Sequence, residues 1–190
     1  ARVDFFKEWA CFLGFKSIST DPAFHENCLA CIDWLADFVS KLGFDVEIIS
    51  TDGKPLLYGI RRGDPNRPTV LYYGHYDVQP VKETEWAIPP FAPKVIDGKI
   101  FGRGASDDKS GVMISLWAVE AMLRTDGKLP VNVKFIFDGE EEMGSPNFKT
   151  FLENNKALVK ADFALNADGS QYSENTPSIL MSLRGTGVME

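Results

Sequence analysis

The chain has 190 residues, of which 44% are hydrophobic and 25% charged, a balance typical of soluble globular proteins. Asp and Glu total 27 against 20 Lys and Arg, and no stretch concentrates basic residues, so the composition argues against a nucleic-acid partner. The first fifteen residues include Asp4 and Glu8 and no long apolar run. We therefore expect neither a signal peptide nor a membrane span there.

The three cysteines, Cys11, Cys28 and Cys31, are an odd set that does not suggest a disulfide framework. Cys28 and Cys31 form a CxxC pair, but they lie in an apolar helical pattern without a second CxxC or a histidine pair nearby. We predict that both are buried core thiols rather than metal ligands. A reducing, cytoplasmic location is the corresponding expectation.

Taken in chain order, the sequence alternates helical and strand patterns. Apolar spacing predicts a first helix, and the capping pair Asp21-Pro22 starts a second one that ends at Gly43. Helices are predicted over 3–15, 22–43, 109–124 and 146–154, and strands over 44–50, 56–61, 69–73, 131–137 and 161–167. Residues 79–98, rich in proline and aromatics, are predicted to form an ordered surface loop, and 178–190 have strand character.

This alternation predicts an α/β fold, a three-layer sandwich with a largely parallel central sheet. The run at 69–73 (TVLYY) is continuously apolar, which is typical of a strand buried on both faces. It delivers His75 and Asp77 to the carboxyl end of the strand, the edge where open α/β sheets bind their ligands.

The stretch 101–111 (FGRGASDDKSG) combines glycines for a tight bend with two adjacent carboxylates, Asp107 and Asp108, just before a helix. Free backbone N–H groups at a helix start favour the ionised form of a carboxylate, the form that binds a divalent cation. A phosphate-binding loop is the rival hypothesis. Its GxxxxGK[ST] pattern needs glycine where Arg103 and Asp108 stand, and two acids there would repel phosphate.

Four such strand-end features stand out along the chain. Taken singly, each has an ordinary explanation as a turn cap or a solvated face. If their acidic side chains meet at one edge of the sheet, the repulsion between like charges destabilises the fold unless a cation compensates the negative charge. The sequence therefore predicts a metal site there, built from His75 with Asp77, Asp107 with Asp108, Glu141 with Glu142, and Asp168.

The residue types narrow the chemistry of this site. One imidazole among carboxylates suits zinc, manganese or cobalt better than calcium or magnesium. His75 and Asp77 point the same way on a strand, so Asp77 can support the imidazole. Glu141 and Glu142 must diverge, which lets one bind metal while the other stays free as a base. Two ions about 3.5–4 Å apart that share a carboxylate and a water are a recurring hydrolytic device.

Five segments, in order, resemble the M20 family of metallopeptidases, and within it the dipeptidase branch that includes carnosinase-like enzymes. They are GHYDVQP (74–80), WxxPPFxP (86–93), DGKIFGRGASDDKSG (97–111), DGEEEMGSP (138–146) and NADG (166–169). The resemblance implies a zinc-peptidase-like catalytic domain with a separate lid and dimerisation domain. It also implies two Zn²⁺ ions per site, with Mn²⁺ or Co²⁺ as alternatives, and an Asp107–Asp108 peptide bond that is often cis.

By this resemblance each candidate residue acquires a role. His75 and Asp168 would bind one metal, Asp107 would bridge both, and Glu142 would bind the second. Glu141 would be the general base, and Asp77 would orient and polarise His75. The family adds a further histidine ligand from near its C-terminus and another from the lid, whereas this chain has only His25 and His75.

The implied activity is hydrolysis of a peptide or amide bond, in dipeptides or N-acyl amino acids, by a metal-activated water. We expect residues 1–180 to be a partial catalytic domain and 181–190 to begin the lid domain of a longer enzyme, with homodimerisation through that lid. The alternative is a non-catalytic module that retains the fold and a structural metal.

Overall fold

The computed structural model describes residues 2–169, 171–176, 178–180 and 182, with side chains from Phe5 onward. Within them, the helices are α1 (Arg2–Gly14), α2 (His25–Lys41), α3 (Lys109–Asp126), α4 (Phe148–Asn154) and α5 (Lys156–Val159). The strands are β1 (Asp45–Ile49), β2 (Leu56–Arg61), β3 (Thr69–His75), β4 (Lys94–Ile96), β5 (Lys99–Phe101), β6 (Asn132–Asp138) and β7 (Phe163–Asn166). All nine predicted helices and strands within 3–167 are confirmed, with small shifts at their ends. Strand character predicted for 178–190 falls mostly outside the described residues.

The central sheet has the strand order β1-β2-β6-β3-β7. Strand β3 runs parallel to both β6 and β7. Strand β2 is antiparallel to β6 on one side and to β1 on the other, so β1 points the same way as β3. Only β2 of these five strands is reversed, which confirms the predicted largely parallel sheet.

Helices cover both faces of this sheet. On one face α2 packs against β1 and β2, α3 packs against β3, and α1 lies against α2 and α3. On the other face Phe151 of α4 packs with Leu56, Tyr58 and Ile136. Because side chains alternate along a strand, β6 sends Phe135 to the first core and Ile136 to the second. The predicted three-layer sandwich is confirmed.

The cysteine prediction is also confirmed. Cys28 and Cys31 are fully buried free thiols in the core between α2 and the sheet, and Cys11 is exposed. Burial raises the pKa of Cys28 to about 11, with lesser and opposing effects from neighbouring charges. Such thiols behave as small apolar side chains.

Two expectations about local structure are corrected. Residues 69–73 of β3 are only half-buried, because β3 adjoins β7, whose residues are exposed at the edge of the described sheet. The predicted surface loop over 79–98 contains β4, which pairs with β5 in a hairpin. Its two-residue turn, Asp97-Gly98, has positive φ at both positions (50° and 76°), the conformation that Asp-Gly favours in tight hairpins.

No helix in the described part of the chain is both long and apolar enough to cross a membrane. The proposed boundary at 180/181 cannot be placed on the fold, since 181 and 183–190 lie outside the described residues.

Candidate metal centre

The predicted site residues meet at the carboxyl edge of the parallel strands. His75 is the last residue of β3, Asp168 follows β7 by two residues, and Asp107 lies two residues before the start of α3. Glu141 and Glu142 lie in a short 3₁₀ helix just after β6. Because β3, β6 and β7 run in the same direction, residues distant in sequence reach one place.

The His75 ring is buried, and its Nε2 atom faces three carboxylates. Nε2 lies 2.9 Å from Asp107 Oδ1, 3.5 Å from Asp168 Oδ2 and 3.8 Å from Glu141 Oε2. One ligand atom each from His75, Asp107 and Asp168 fall within 4.8 Å of one another. Ligand atoms around a tetrahedral ion at about 2.0–2.1 Å are separated by about 3.3–3.4 Å. The 3.5 Å distance to Asp168 matches this separation, and the 2.9 Å distance to Asp107 is the length of a direct hydrogen bond.

Asp77 lies on the other side of the imidazole. The Nδ1 atom of His75 is 3.1 Å from the Asp77 carbonyl oxygen and 3.2 Å from Asp77 Oδ1. An Nδ1–H that donates to these oxygens leaves the Nε2 lone pair directed at Asp107 and Asp168. A lone pair facing carboxylates is repelled unless a proton or a cation lies between them, so this tautomer suits metal binding.

The Asp77 carboxylate is itself fully buried and connects three parts of the chain. Its Oδ1 accepts from the backbone N–H of Glu141 at 3.2 Å, and its Oδ2 accepts from the N–H of Glu142 at 3.1 Å. The Ser19 hydroxyl donates to Oδ2 at 2.6 Å. Asp77 therefore links the imidazole to the glutamate turn as well as to the segment after α1.

The adjacent residues Asp107 and Asp108 occupy different environments, and the peptide bond between them is cis, as the resemblance implied. The Asp107 side chain is 58% exposed and reaches the His75 ring. Asp108 is buried, and its Oδ2 accepts from the backbone N–H of His75 at 3.2 Å. Burial, offset in part by His75, raises the pKa of Asp108 to about 7. Asp107 thus faces the site while Asp108 holds the backbone beneath it.

Gly111 explains how α3 comes so close to the site. A Cβ atom at this position would lie 3.0 Å from the Ala167 carbonyl oxygen and would collide with Asp108 Oδ1. The glycine in the sequence pattern is therefore required by close approach of α3 to the end of β7, next to Asp168.

The surroundings of His75 show a local excess of negative charge. Burial lowers the pKa of His75, but the hydrogen bond and charge of Asp77, with the charges of Asp108 and Glu141, outweigh it and raise the pKa to about 10. Burial raises the pKa of Glu141, and Glu142, Asp168 and Asp77 add to that effect while His75 opposes it. A divalent cation would relieve this repulsion, and the donor set of one imidazole and several carboxylates fits zinc, manganese or cobalt.

Glu142 is placed differently from the other candidates. Its carboxylate accepts from the Gln79 backbone N–H at 3.1 Å and from Gln79 Nε2 at 2.8 Å. It is not among the three described residues whose ligand atoms converge. Its role as a second-metal ligand stays a prediction.

Glu140, the first of the three consecutive glutamates, stabilises the turn that leads to the site. Glu140 is buried, and it accepts from the Lys54 backbone N–H at 2.9 Å and from Asn147 Nδ2 at 2.7 Å. These bonds fix the start of the turn, so that Glu141 and Glu142 follow it toward the site.

The buried position of Lys109 argues against the phosphate-loop hypothesis. Its side chain is fully buried, and Nζ donates to the carbonyl oxygens of Phe12 and Phe15, each at 2.9 Å. An ammonium group committed to two carbonyls at the end of α1 is not available to a phosphate. The hypothesis is wrong.

Sequence reasoning missed Ser19 and Gln79, which hold Asp77 and Glu142 respectively. Gln79 follows the HxD pair by two residues, so its proximity to the site was open to inference. Ser19 lies in an interhelical connection 58 residues before Asp77, and no local pattern marks it.

The fold and the site together define an α/β protein with a histidine–carboxylate cluster at the carboxyl edge of its sheet. Residues 71–179 match the sequence pattern of Peptidase family M20/M25/M40. The chain belongs to this family.

Individual relatives agree with that assignment. Beta-Ala-His dipeptidase of Mus musculus is 32% identical over 197 residues, covering 96% of this chain and 40% of its own length. Cys-Gly metallodipeptidase of Schizosaccharomyces pombe is 32% identical over 183 residues, covering 89% of this chain and 38% of its own length. The crystal structure of human carnosine dipeptidase 1 is similar with a TM-score of 0.82 at 29% identity, covering 87% of this chain and 38% of that one. The chain spans about two fifths of the length of the curated relatives it matches.

Proposed function

We propose that this chain supplies catalytic residues to a metal-dependent hydrolase that cleaves the peptide or amide bond of dipeptides or N-acyl amino acids. The observation that carries the proposal is the convergence of His75 Nε2 with the carboxylates of Asp107 and Asp168, while Asp77 orients the ring from behind. Membership of a peptidase family and similarity to two named dipeptidases support the choice of substrate class.

In this proposal His75, Asp107 and Asp168 would hold a first ion, and Asp107 and Glu142 would hold a second. Zinc is the proposed metal, with manganese or cobalt as alternatives. When bound, a divalent metal would polarise a substrate carbonyl and lower the pKa of a metal-bound water to about 7. His25, the other histidine of the chain, is the first residue of α2, and its Nδ1 lies 3.0 Å from Lys54 Nζ. It is not a proposed ligand.

Glu141 is the proposed general base. Its carboxylate is 39% exposed and 3.8 Å from His75 Nε2, so it faces the ligand cluster without being enclosed by it. Burial and the neighbouring acids raise its pKa, which makes it a better proton acceptor than an ordinary glutamate. Glu141 takes the proton from the attacking water and passes it to the nitrogen of the leaving amine.

The test is hydrolysis of a panel of dipeptides and N-acyl amino acids with zinc, manganese or cobalt. Where the coding frame extends beyond Glu190, the longer product is assayed beside this chain. Glu141→Gln is expected to lower kcat about 10²- to 10⁴-fold, the usual contribution of a general base. Its metal affinity, measured by calorimetry, should stay within about threefold of the parent, because the amide is close in shape to the carboxylate and Glu141 is not a proposed ligand.

A second candidate is a non-catalytic module with one structural metal. The position of Glu142 favours it, since Gln79 holds that carboxylate and only three candidate ligands converge among the described residues. This candidate predicts metal binding without hydrolysis of any substrate in the panel. Hydrolysis that depends on Glu141 would exclude it.

A further inference from the structure

The segment after α1 lies against the carboxyl end of β3. Ser17 Oγ donates to the Tyr76 carbonyl at 2.6 Å, and the Val78 backbone N–H donates to the Ser17 carbonyl at 2.9 Å. Ser19 Oγ donates to Asp77 Oδ2 at 2.6 Å. Both serine side chains are buried. The turn that carries His75 and Asp77 is therefore held by residues near the start of the chain.

The bond from Ser19 differs in kind from the two bonds of Ser17. It is a short O–H···O⁻ bond to a carboxylate, a class about twice as strong as a bond between neutral groups. Ser19 shares Oδ2 of Asp77 with the N–H of Glu142, while Oδ1 faces His75 Nδ1 and the N–H of Glu141. Ser19 is the one side-chain hydroxyl among these contacts, and together with the N–H of Glu142 it fixes the position of Oδ2.

The second ligand-bearing loop is attached to the same part of the chain. Lys109 directly follows the Asp107–Asp108 pair, and its buried Nζ donates to Phe12 and Phe15 carbonyls at the end of α1. Nζ also lies 5.0 Å from the centre of the Phe12 ring. A buried ammonium is costly unless it is hydrogen-bonded, so these contacts hold the start of α3 against α1. We name residues 12–19 the brace.

We propose that Ser19, within the brace, is a positioning residue that acts on His75 through the Asp77 carboxylate. The proposal rests on the proposed metal site and adds to it a segment outside the matched residues 71–179. Loss of the Ser19 hydroxyl leaves the Asp77 carboxylate held only by the N–H groups of Glu141 and Glu142, so that Oδ1 is less firmly fixed beside Nδ1. The imidazole keeps its contact with the Asp77 carbonyl oxygen but is oriented less firmly, and Nε2 becomes a poorer ligand.

The experiment compares Ser19→Ala with Ser17→Ala as a matched control. Ser17 is also buried and bonds the same turn, but its hydroxyl donates to a backbone carbonyl, that of Tyr76, and not to the Asp77 carboxylate. Affinity for Zn²⁺ and Co²⁺ is measured by chelator competition, and the d–d absorption of the cobalt-loaded protein reports ligand geometry. Ser19→Ala is expected to weaken both affinities about 10-fold and to shift the cobalt spectrum. This is the low end of the loss typical when a partner of a ligand histidine is removed, because Ser19 acts on His75 through Asp77 rather than directly.

Ser17→Ala should change the affinity less than about threefold, and Ser19→Thr, which keeps the hydroxyl, should restore the parent affinity and spectrum. Circular dichroism of the metal-free proteins identifies variants that do not fold. If Ser19→Ala does not fold, the metal affinity of Ser19→Thr is compared with that of Ser19→Val, which has the same shape but lacks the hydroxyl.

The outcomes separate this proposal from the proposed function. If the parent protein binds neither ion, both proposals are overturned. If it binds and Asp107→Ala abolishes binding while Ser19→Ala does not weaken it, the brace proposal alone is wrong. Equal losses in Ser19→Ala and Ser17→Ala with unchanged cobalt spectra would likewise overturn it, because a general loss of stability would explain them.

Discussion

Both edges of the parallel strands gather charged side chains, but these charges are neutralised differently. At the amino edge, Arg61, Arg62 and Arg67 line a groove of about 680 Å³. Arg61 Nη1 donates to the carbonyls of Leu42 and Gly43 at 3.1 and 2.7 Å. Arg67 donates to the Pro130 carbonyl at 2.9 Å, and Arg62 pairs with Asp45 at 3.3 Å. Each arginine has a protein partner.

At the carboxyl edge the acids converge on a single imidazole. Asp107, Glu141 and Asp168 all approach His75 Nε2, and among the described residues none of the three pairs with a lysine or an arginine. Like charges brought together without a counter-charge destabilise a fold. The comparison shows that charge clustering alone does not identify a functional site, whereas acids that converge on one imidazole, with no lysine or arginine pairing them among the described residues, form a candidate metal site.

The largest expected difference between the edges is in metal affinity. Asp107→Ala should weaken zinc binding more than about 100-fold, since it removes a ligand rather than a group behind one. Asp64→Ala removes a carboxylate at the amino-edge groove and should leave the affinity within about twofold of the parent. Calorimetric titration of both variants checks this. Unchanged binding in Asp107→Ala would show that the ion is held elsewhere.

The metal should also stabilise the fold through the carboxyl edge alone. Free zinc at 100 times its Kd is expected to raise the free energy of unfolding by about 2.7 kcal/mol, because the ion binds the folded state. Chelator removes this increment. In Asp107→Ala at the same zinc concentration the increment should fall to about 0.4 kcal/mol or less, whereas in Arg61→Ala it should persist. Denaturant unfolding followed by circular dichroism measures it, and an increment in Asp107→Ala equal to that of the parent would contradict the assigned ligands.

The smallest effects are expected at the amino edge. Arg61→Ala loses two hydrogen bonds to the end of α2 and should cost about 1–3 kcal/mol of unfolding free energy. Arg62→Ala loses only an exposed ion pair and should cost less than about 1 kcal/mol. Neither variant should change zinc affinity. If Arg61→Ala weakened zinc binding tenfold, the two edges would be coupled and the contrast between them would fail.

Much of the fold was predictable because it depends on local patterns. Residues 56–61 were predicted as a strand and form β2 with the same bounds, and α3 starts at Lys109 as expected. Strand direction followed from the helices between strands, since a crossover helix implies parallel neighbours. The β4–β5 hairpin was missed because prolines and aromatics between 79 and 93 masked a short strand beside its Asp-Gly turn.

The site was predictable only in part. The sequence by itself identified His75, Asp77, Asp107 and Asp168 as candidates, because each follows a strand or precedes a helix at a position that the fold class directs to one edge. It assigned Asp107 and Asp108 different roles only by resemblance to a family. The separation of the two, one facing the ring and the other buried beneath it, is a property of the folded backbone.

Only the tertiary structure shows which residues hold the candidate metal ligands in place. Ser19, Gln79 and the buried ammonium of Lys109 act across 58, 63 and 97 residues of sequence, and no spacing rule connects them with their partners. The physical reason is that strand and helix periodicity fixes which face a side chain occupies, whereas hydrogen bonds to buried charges depend on where separate segments meet in space. Local sequence patterns therefore predict which charged residues reach the site, and contacts between segments distant in sequence determine its geometry.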